Sequence, residues 1–212
     1  MNINHNKILI LAPHTDDGEI GCGASIAKFI AEGKDVHYVA FSSARKSLLE
    51  QGRPEFQLID EVKAATKVLG IPKDNLYIFD FDVRVFPALR QEILDEIIKL
   101  KNKINPDLVF CPSLNDIHQD HAVISQECLR AFKNITILGY EEPWNNIEFE
   151  TRAFIKINQC DLDKKIEALG CYKSQSYRKY LNPDFMKSLA VVRGVQIESK
   201  LAESFEIMRL VV

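Results

Sequence analysis

Residues 7 to 23 read KILILAPHTDDGEIGCG. KILILAP, 7–13, is a short apolar run of the kind that forms a strand buried on both faces. A histidine, two adjacent aspartates and a glycine pair follow it at once. Polar, metal-binding side chains therefore gather where a buried strand ends. Downstream, GASIAKFIAEG (23–33) repeats apolar positions at helical spacing and stops at Gly33. DVHYVAFSS (35–43) reads as a second strand, EFQLIDEVKAATKVLG (55–70) as an amphipathic helix and NLYIFDF (75–81) as a third strand. RQEILDEIIKLKNKI (90–104) is a helix, DLVFCPS (107–113) a strand, HAVISQECLRAFK (121–133) a helix and ITILGYE (135–141) a fifth strand.

Strands spaced by helices of this length imply right-handed crossovers. The expected fold is α/β: a Rossmann-like, doubly wound, mainly parallel sheet with helices on both faces. In the tail, 149–158 reads as a further strand, 161–174 as a helix opened by Asp161, and 184–210 as largely helical around Gly194. The tail is expected to pack on the same core, so residues 1–212 form one domain. No internal repeat is visible.

The chain has 212 residues, 46% hydrophobic and 27% charged, as in an ordinary globular protein. A net charge of −3 and the lack of a basic stripe argue against a nucleic-acid partner. The segment Met1 to Lys7 is polar and short, unlike a secretory signal, and no apolar run approaches the ~20 residues of a membrane span. The five cysteines, Cys22, Cys111, Cys128, Cys160 and Cys171, form no CxxC pair, so neither a disulfide framework nor a thiolate zinc site is expected. A reducing cytoplasm follows as the expected compartment.

In open α/β sheets, ligands bind beyond the carboxyl ends of the strands. His14, Asp16 and Asp17 lie there after the first strand, and SLNDIHQDH (113–121) lies there after the fourth. Neighbouring first and fourth strands would turn both clusters toward one crevice. Two histidines and a carboxylate satisfy a catalytic zinc site, leaving a further carboxylate as general base. Each cluster alone has a plainer reading, as a polar turn or, for HQDH, as a helix cap with Asp120 holding the first turn. The pairing at two strand ends favours metal.

PHTDDGEIGCG resembles the PHPDDxEIGxGG signature of the PIG-L/LmbE family of zinc-dependent N-acetylglucosaminide deacetylases, and HQDH resembles its second motif, HxDH. EVKAATKVLGI (61–71), KKIEALGCYKSQ (164–175) and RG followed by AESFE (193–206) extend the similarity in order along most of the chain. The resemblance implies an LmbE-like fold and hydrolysis of an N-acetyl group on an N-acetylglucosamine-type sugar or its conjugate, releasing acetate and a free amine. It implies His14, Asp17 and His121 as Zn2+ ligands, with Asp16 as general base. His118 would stabilise the oxyanion, and Asp120 would hydrogen-bond and orient His118. Gly21 and Gly23 would let the backbone turn tightly beneath the site.

Three departures stand out. Thr15 replaces the usual proline. Gly18 stands where a glutamate often follows the aspartates, and Glu19, one place on, is given no catalytic role. Leu58 occupies a position where many members carry a sugar-contacting arginine. Arg84 is the candidate replacement, and Trp144 in EEPWNN is a candidate sugar-stacking residue or a lid packed on the core. Tyr172, Tyr177 and Tyr180 read as packing, and His5 and His37 as structural or exposed.

A nicotinamide-dependent oxidoreductase is disfavoured, since Gly21 and Gly23 lack a third glycine and AFSS (40–43) ends the second strand without an acid. Fe2+ also suits the ligand set. Alternatives left open are a different N-acyl amide as substrate and a silent sugar-binding homologue, although binding alone needs no general base. The sequence leaves open the sugar, its aglycone and whether tail helices pair subunits into a homo-oligomer.

Overall fold

The computed structural model describes residues 5–212, so the first four residues of the Met1–Lys7 segment lie outside the described residues. Strands β1 (Lys7–Ala12), β2 (Asp35–Ala40), β3 (Leu76–Ile78), β4 (Leu108–Pro112), β5 (Thr136–Tyr140), β6 (Ala153–Lys156) and β7 (Ala202–Arg209) form one sheet in the order β3-β2-β1-β4-β5-β7-β6. The first five in that order are parallel, while β7 runs antiparallel to both β5 and β6. The chain winds outward from β1 to β3, then returns to place β4 on the free side of β1. That reversal opens a crevice between the ends of β1 and β4.

Alternation along β1 divides the core. Ile8, Ile10 and Ala12 face helices α1 (Asp17–Ala31) and α3 (Gln57–Leu69), while Leu9 and Leu11 face α4 (Arg90–Ile104) and α5 (Gln119–Ala131). All five side chains are fully buried, as a central strand covered on both faces requires. Among the described residues no helix is long and apolar enough to cross a membrane. All five cysteines are free thiols.

Four expectations need correction. The 184–210 segment is not one helical stretch: α7 (Pro183–Val195) ends in a turn at Glu198, and β7 follows. The glutamates of β7 favour helix locally, but insertion between two strand edges decides the outcome. Helix α6 (Gln159–Leu169) is opened by Asn158. Asp161 is its partner in a capping box and accepts the Asn158 N–H at 2.9 Å. A short helix, α2 (Arg45–Glu50), was not expected at all.

Helix α1 begins at Asp17 rather than at Gly23, and it kinks at Cys22 (φ −144°, ψ 22°). The kink exposes backbone donors, and Glu203 on β7 accepts from Ala24 N–H (3.3 Å) and Ser25 N–H (2.7 Å) while pairing with Lys165 Nζ at 2.6 Å. The glycines here serve packing rather than a tight turn. A Cβ on Gly21 would lie 2.3 Å from Cδ2 of Tyr140, and one on Gly18 would lie 2.5 Å from Cε2 of Tyr38. Tyr140 is wholly buried and its hydroxyl donates to the Leu11 carbonyl, so its ring has nowhere to move. Gly21→Ala should therefore cost about 1–3 kcal/mol through overpacking. A thermal melt unchanged from wild type would contradict that packing argument.

Candidate active site

Asp17 is the first residue of α1, where its carboxylate accepts the His14 N–H at 2.7 Å and sits favourably at the positive end of the helix. His121 lies in the first turn of α5, which begins after the loop leaving β4. Because β1 and β4 are adjacent, the two loops meet. His14 Nδ1 is 3.1 Å from Asp17 Oδ2, His121 Nε2 is 3.3 Å from the same oxygen, and the two nitrogens are 3.3 Å apart.

This triangle can be tested against a metal. Ligands about 2.0–2.2 Å from a tetrahedral zinc stand about 3.3–3.6 Å from one another. The observed edges match within a small contraction, and the N,N,O donor set suits zinc. The protons of the site respond in the same sense. Burial lowers His14, but the charge of Asp17 and hydrogen bonds to Asp120 and Asp17 outweigh it and raise the imidazole to about 9. Burial also disfavours charge on His121, yet Asp17 and Glu142 push it well above the usual range. Burial pushes Asp17 up, but the two imidazoles hold it well below an ordinary carboxyl. The pocket is built to stabilise positive charge at that point.

Each histidine of the triangle uses its other ring nitrogen on a carboxylate. His121 Nδ1 is 2.7 Å from Asp116 Oδ2, and His14 Nε2 is 3.1 Å from Asp120 Oδ2. Such partners fix ring orientation and raise ligand basicity. Here the structure corrects one assignment. The Asp120 carboxylate orients His14, not His118; it also accepts from Arg84 N–H at 2.6 Å and Phe86 N–H at 3.3 Å. His118 itself is the N-cap of α5, its Nδ1 accepting the Asp120 backbone N–H at 3.2 Å. The capping role thus falls to His118 rather than to Asp120, and it leaves Nε2 as the protonated nitrogen of the neutral ring. Asp116 was passed over in the sequence although it stands in the same SLNDIHQDH segment. Asp116→Asn and Asp120→Asn should each weaken metal affinity about 10–100-fold. Competition with a chelator measures this, and wild-type affinity in both variants would remove the orienting role.

Asp16 occupies the N-cap position of α1 but makes no capping hydrogen bond, so its carboxylate is free to face the cavity. Burial and the neighbouring Asp17 raise it to about 6. His118 lines the same cavity, lowered to about 4 by burial and by the charges of His121 and His14. Its ring centroid lies 5.0 Å from that of His14 and 4.6 Å from that of His121. Beneath the loop, the Thr15 carbonyl accepts from the hydroxyls of Tyr38 (2.9 Å) and Tyr172 (2.7 Å), and Glu19 bridges the same two hydroxyls. Glu19 and Tyr172 thus brace the loop that carries His14 and Asp16 from below.

A cavity of 410 Å³ opens above the triangle. The loop after β4 is stitched to the loop after β5 by Ile117 N–H on the Asn145 carbonyl (3.2 Å), and this brings Glu142 to the wall, 3.7 Å from His121 Nδ1. Glu142 is buried with one carboxylate oxygen lacking a hydrogen-bond partner among the described residues. It too was missed, since EEPWNN carries no metal motif. Leu58 is an apolar wall residue of the cavity. Arg84 lies at the rim with φ +69°, and its guanidinium is engaged by Glu50 of α2 at 2.9 Å. Trp144 lines the cavity but stacks on Tyr180, with centroids 3.8 Å apart and planes 9° from parallel. Tyr180, read from the sequence as packing, is therefore part of the wall.

Comparison with known proteins decides the family. Residues 9–132, more than half of the chain, match the profile of the PIG-L family, described as GlcNAc-PI de-N-acetylase. The chain belongs to the PIG-L family. It is 30% identical over 177 residues to the uncharacterized deacetylase YaiS of Escherichia coli K12, which spans 79% of this chain and 90% of YaiS. It is 29% identical over 110 residues to the diacetylchitobiose deacetylase of Thermococcus kodakarensis, covering 50% of this chain and 40% of that protein. Among solved structures, GalB, the 4-carboxy-2-hydroxymuconate hydratase of Pseudomonas putida KT2440, superposes with a TM-score of 0.79 at 20% identity over 98% of both chains. That likeness concerns the fold alone. PIG-L membership places this chain among deacetylases and thus hydrolases.

Proposed function

We propose that this PIG-L protein is a metal-dependent amidohydrolase that removes the acetyl group from a 2-acetamido sugar or its conjugate. The observation that carries this reading is the triangle of His14 Nδ1, Asp17 Oδ2 and His121 Nε2, flanked by one uncommitted carboxylate and one neutral imidazole. His14, Asp17 and His121 would hold the cation, for which zinc suits the donor set and Fe2+ is the alternative. A divalent ion there acidifies a water and polarises an acyl carbonyl.

The protein residues divide the remaining work. Asp16 accepts the proton of the attacking water, and a pKa near 6 lets it be ionised yet basic enough at neutral pH. His118, neutral and carrying its proton on Nε2, donates to the oxygen that becomes negative as the tetrahedral centre forms. The proton held by Asp16 then passes to the departing amine, which leaves as the free amino sugar while acetate remains. Asp120 and Asp116 hold the two imidazoles of the triangle in place. The amino-sugar assignment draws support from the diacetylchitobiose deacetylase relative.

The test is a screen of purified protein, with its metal content measured, against N-acetylated sugars and their conjugates, reading released acetate and primary amine. We expect turnover that is lost on chelation and restored by zinc. Hydrolysis of other N-acyl amides with silence toward every acetamido sugar would overturn the substrate class.

A further inference from the structure

Glu142 takes no part in the chemistry described above, yet the fold holds it firmly beside the triangle. It is 1% exposed and lines the cavity with His14, Asp17 and His121. Its backbone is closed into a turn. The carbonyl accepts from Asn145 N–H at 2.8 Å and Asn146 N–H at 2.9 Å, and its own N–H donates to Asn146 Oδ1 at 2.7 Å. Asn145 Nδ2 donates to Oε2 at 3.2 Å, which leaves Oε1 buried and without a partner among the described residues. Of the charges that weigh most on Glu142, Asp17, Asp116 and Asp16 are carboxylates, and His121 already directs its Nδ1 at Asp116, 2.7 Å away.

A buried carboxylate oxygen among other acids, fixed in place by its neighbours, calls for a cation. Asp17, His121 and Glu142 each bring one donor atom within 4.8 Å of the other two. We infer that Glu142 Oε1 is a fourth protein donor to the cation at the His14–Asp17–His121 triangle, an inference that rests on the metal reading of that triangle. Two neutral imidazoles and two carboxylates balance the charge of a divalent ion, which a buried site favours. The second carboxylate also changes which ion the site prefers. Three donors and a water complete a tetrahedron around zinc. Four donors and a water suit ions that take more ligands and favour oxygen, Mn2+ and Fe2+ above all.

The experiment loads the chelated full-length protein with Co2+, Mn2+ or Zn2+ and reads the metal rather than turnover. Wild-type protein should give Co2+ the weak visible absorption of an ion with more than four ligands. Glu142→Gln, which keeps the shape but offers no anionic oxygen, should give the stronger bands of a four-coordinate ion. In competition with a chelator, the same variant should lose Mn2+ affinity by more than the roughly 100-fold that loss of an outer partner can cost, and Zn2+ affinity by less. Glu142→Asp keeps the buried charge but withdraws the oxygen by one methylene. It should give the same spectral change, and it carries the test if the amide variant does not fold. A Co2+ spectrum identical in wild type and variants would overturn the inference. So would equal losses of Mn2+ and Zn2+ affinity, the mark of a Glu142 that only steadies His121. His121→Ala separates this outcome from the metal reading itself: Co2+ bound by wild type and lost in that variant upholds the triangle whatever Glu142 does, while a wild type that binds none of the three ions ends both.

Discussion

Asp16→Asn should lower kcat by about 10²–10⁴-fold, the contribution typical of a positioned general base, while the protein keeps its metal. The two adjacent aspartates make this a sharp comparison. Asp17 is locked between two imidazoles and a backbone N–H. Asp16 caps nothing and is raised to about 6, first by burial and then by the charge of Asp17. An amide at 16 keeps the shape but cannot accept the proton from water. Turnover and metal content measured on the same preparation separate the two roles. Full activity with full metal in Asp16→Asn would assign the base elsewhere, and Glu142 would then be the first residue to examine. Asp17→Asn should instead lose metal.

Removal of His121 is the second large effect. His121→Ala should abolish turnover and leave the purified protein without stoichiometric metal. It should also destabilise the metal-free fold by about 3–5 kcal/mol, because one partner of a buried charge cluster is deleted. The reason is local: His121 stands between Asp17 at 3.3 Å and Asp116 at 2.7 Å, with Glu142 at 3.7 Å. Without the imidazole, three buried carboxyl groups face one space. Metal analysis together with thermal unfolding of chelated wild type and variant reads both consequences. A variant that binds metal as tightly as wild type would remove His121 from the ligand set.

The sheet was legible because its central strands are continuous apolar runs and its crossover helices are amphipathic. Both signals are local, and each survives without knowledge of partners. Boundaries failed where partners decide. Helix α1 extends back to Asp17 because Tyr38 and Tyr140 press against glycines whose spacing looked like a turn. Strand β7 exists because β5 and β6 offer it two edges, although its glutamates favour helix. Those glutamates are tolerated since Glu203 answers backbone donors freed by a kink in a distant helix.

The same division runs through the site. Residue type and spacing gathered His14, Asp16 and Asp17 at one strand end and the SLNDIHQDH segment at another, and the family resemblance singled out His118, Asp120 and His121 within that segment. Which carboxylate serves which imidazole was not contained in the spacing. Asp120 turns to His14 across 106 positions of sequence, while the nearer His118 takes only its backbone N–H. Asp116 and Glu142 carry no motif: Asp116 sits on the same loop as His121, five residues before it, and Glu142 reaches the wall because the loop after β5 is stitched to the loop after β4. The sequence by itself determined which chemistry this protein can carry, because donor types belong to residues. The tertiary structure alone decided who holds whom, because hydrogen bonds across a crevice depend on where the backbone brings each side chain.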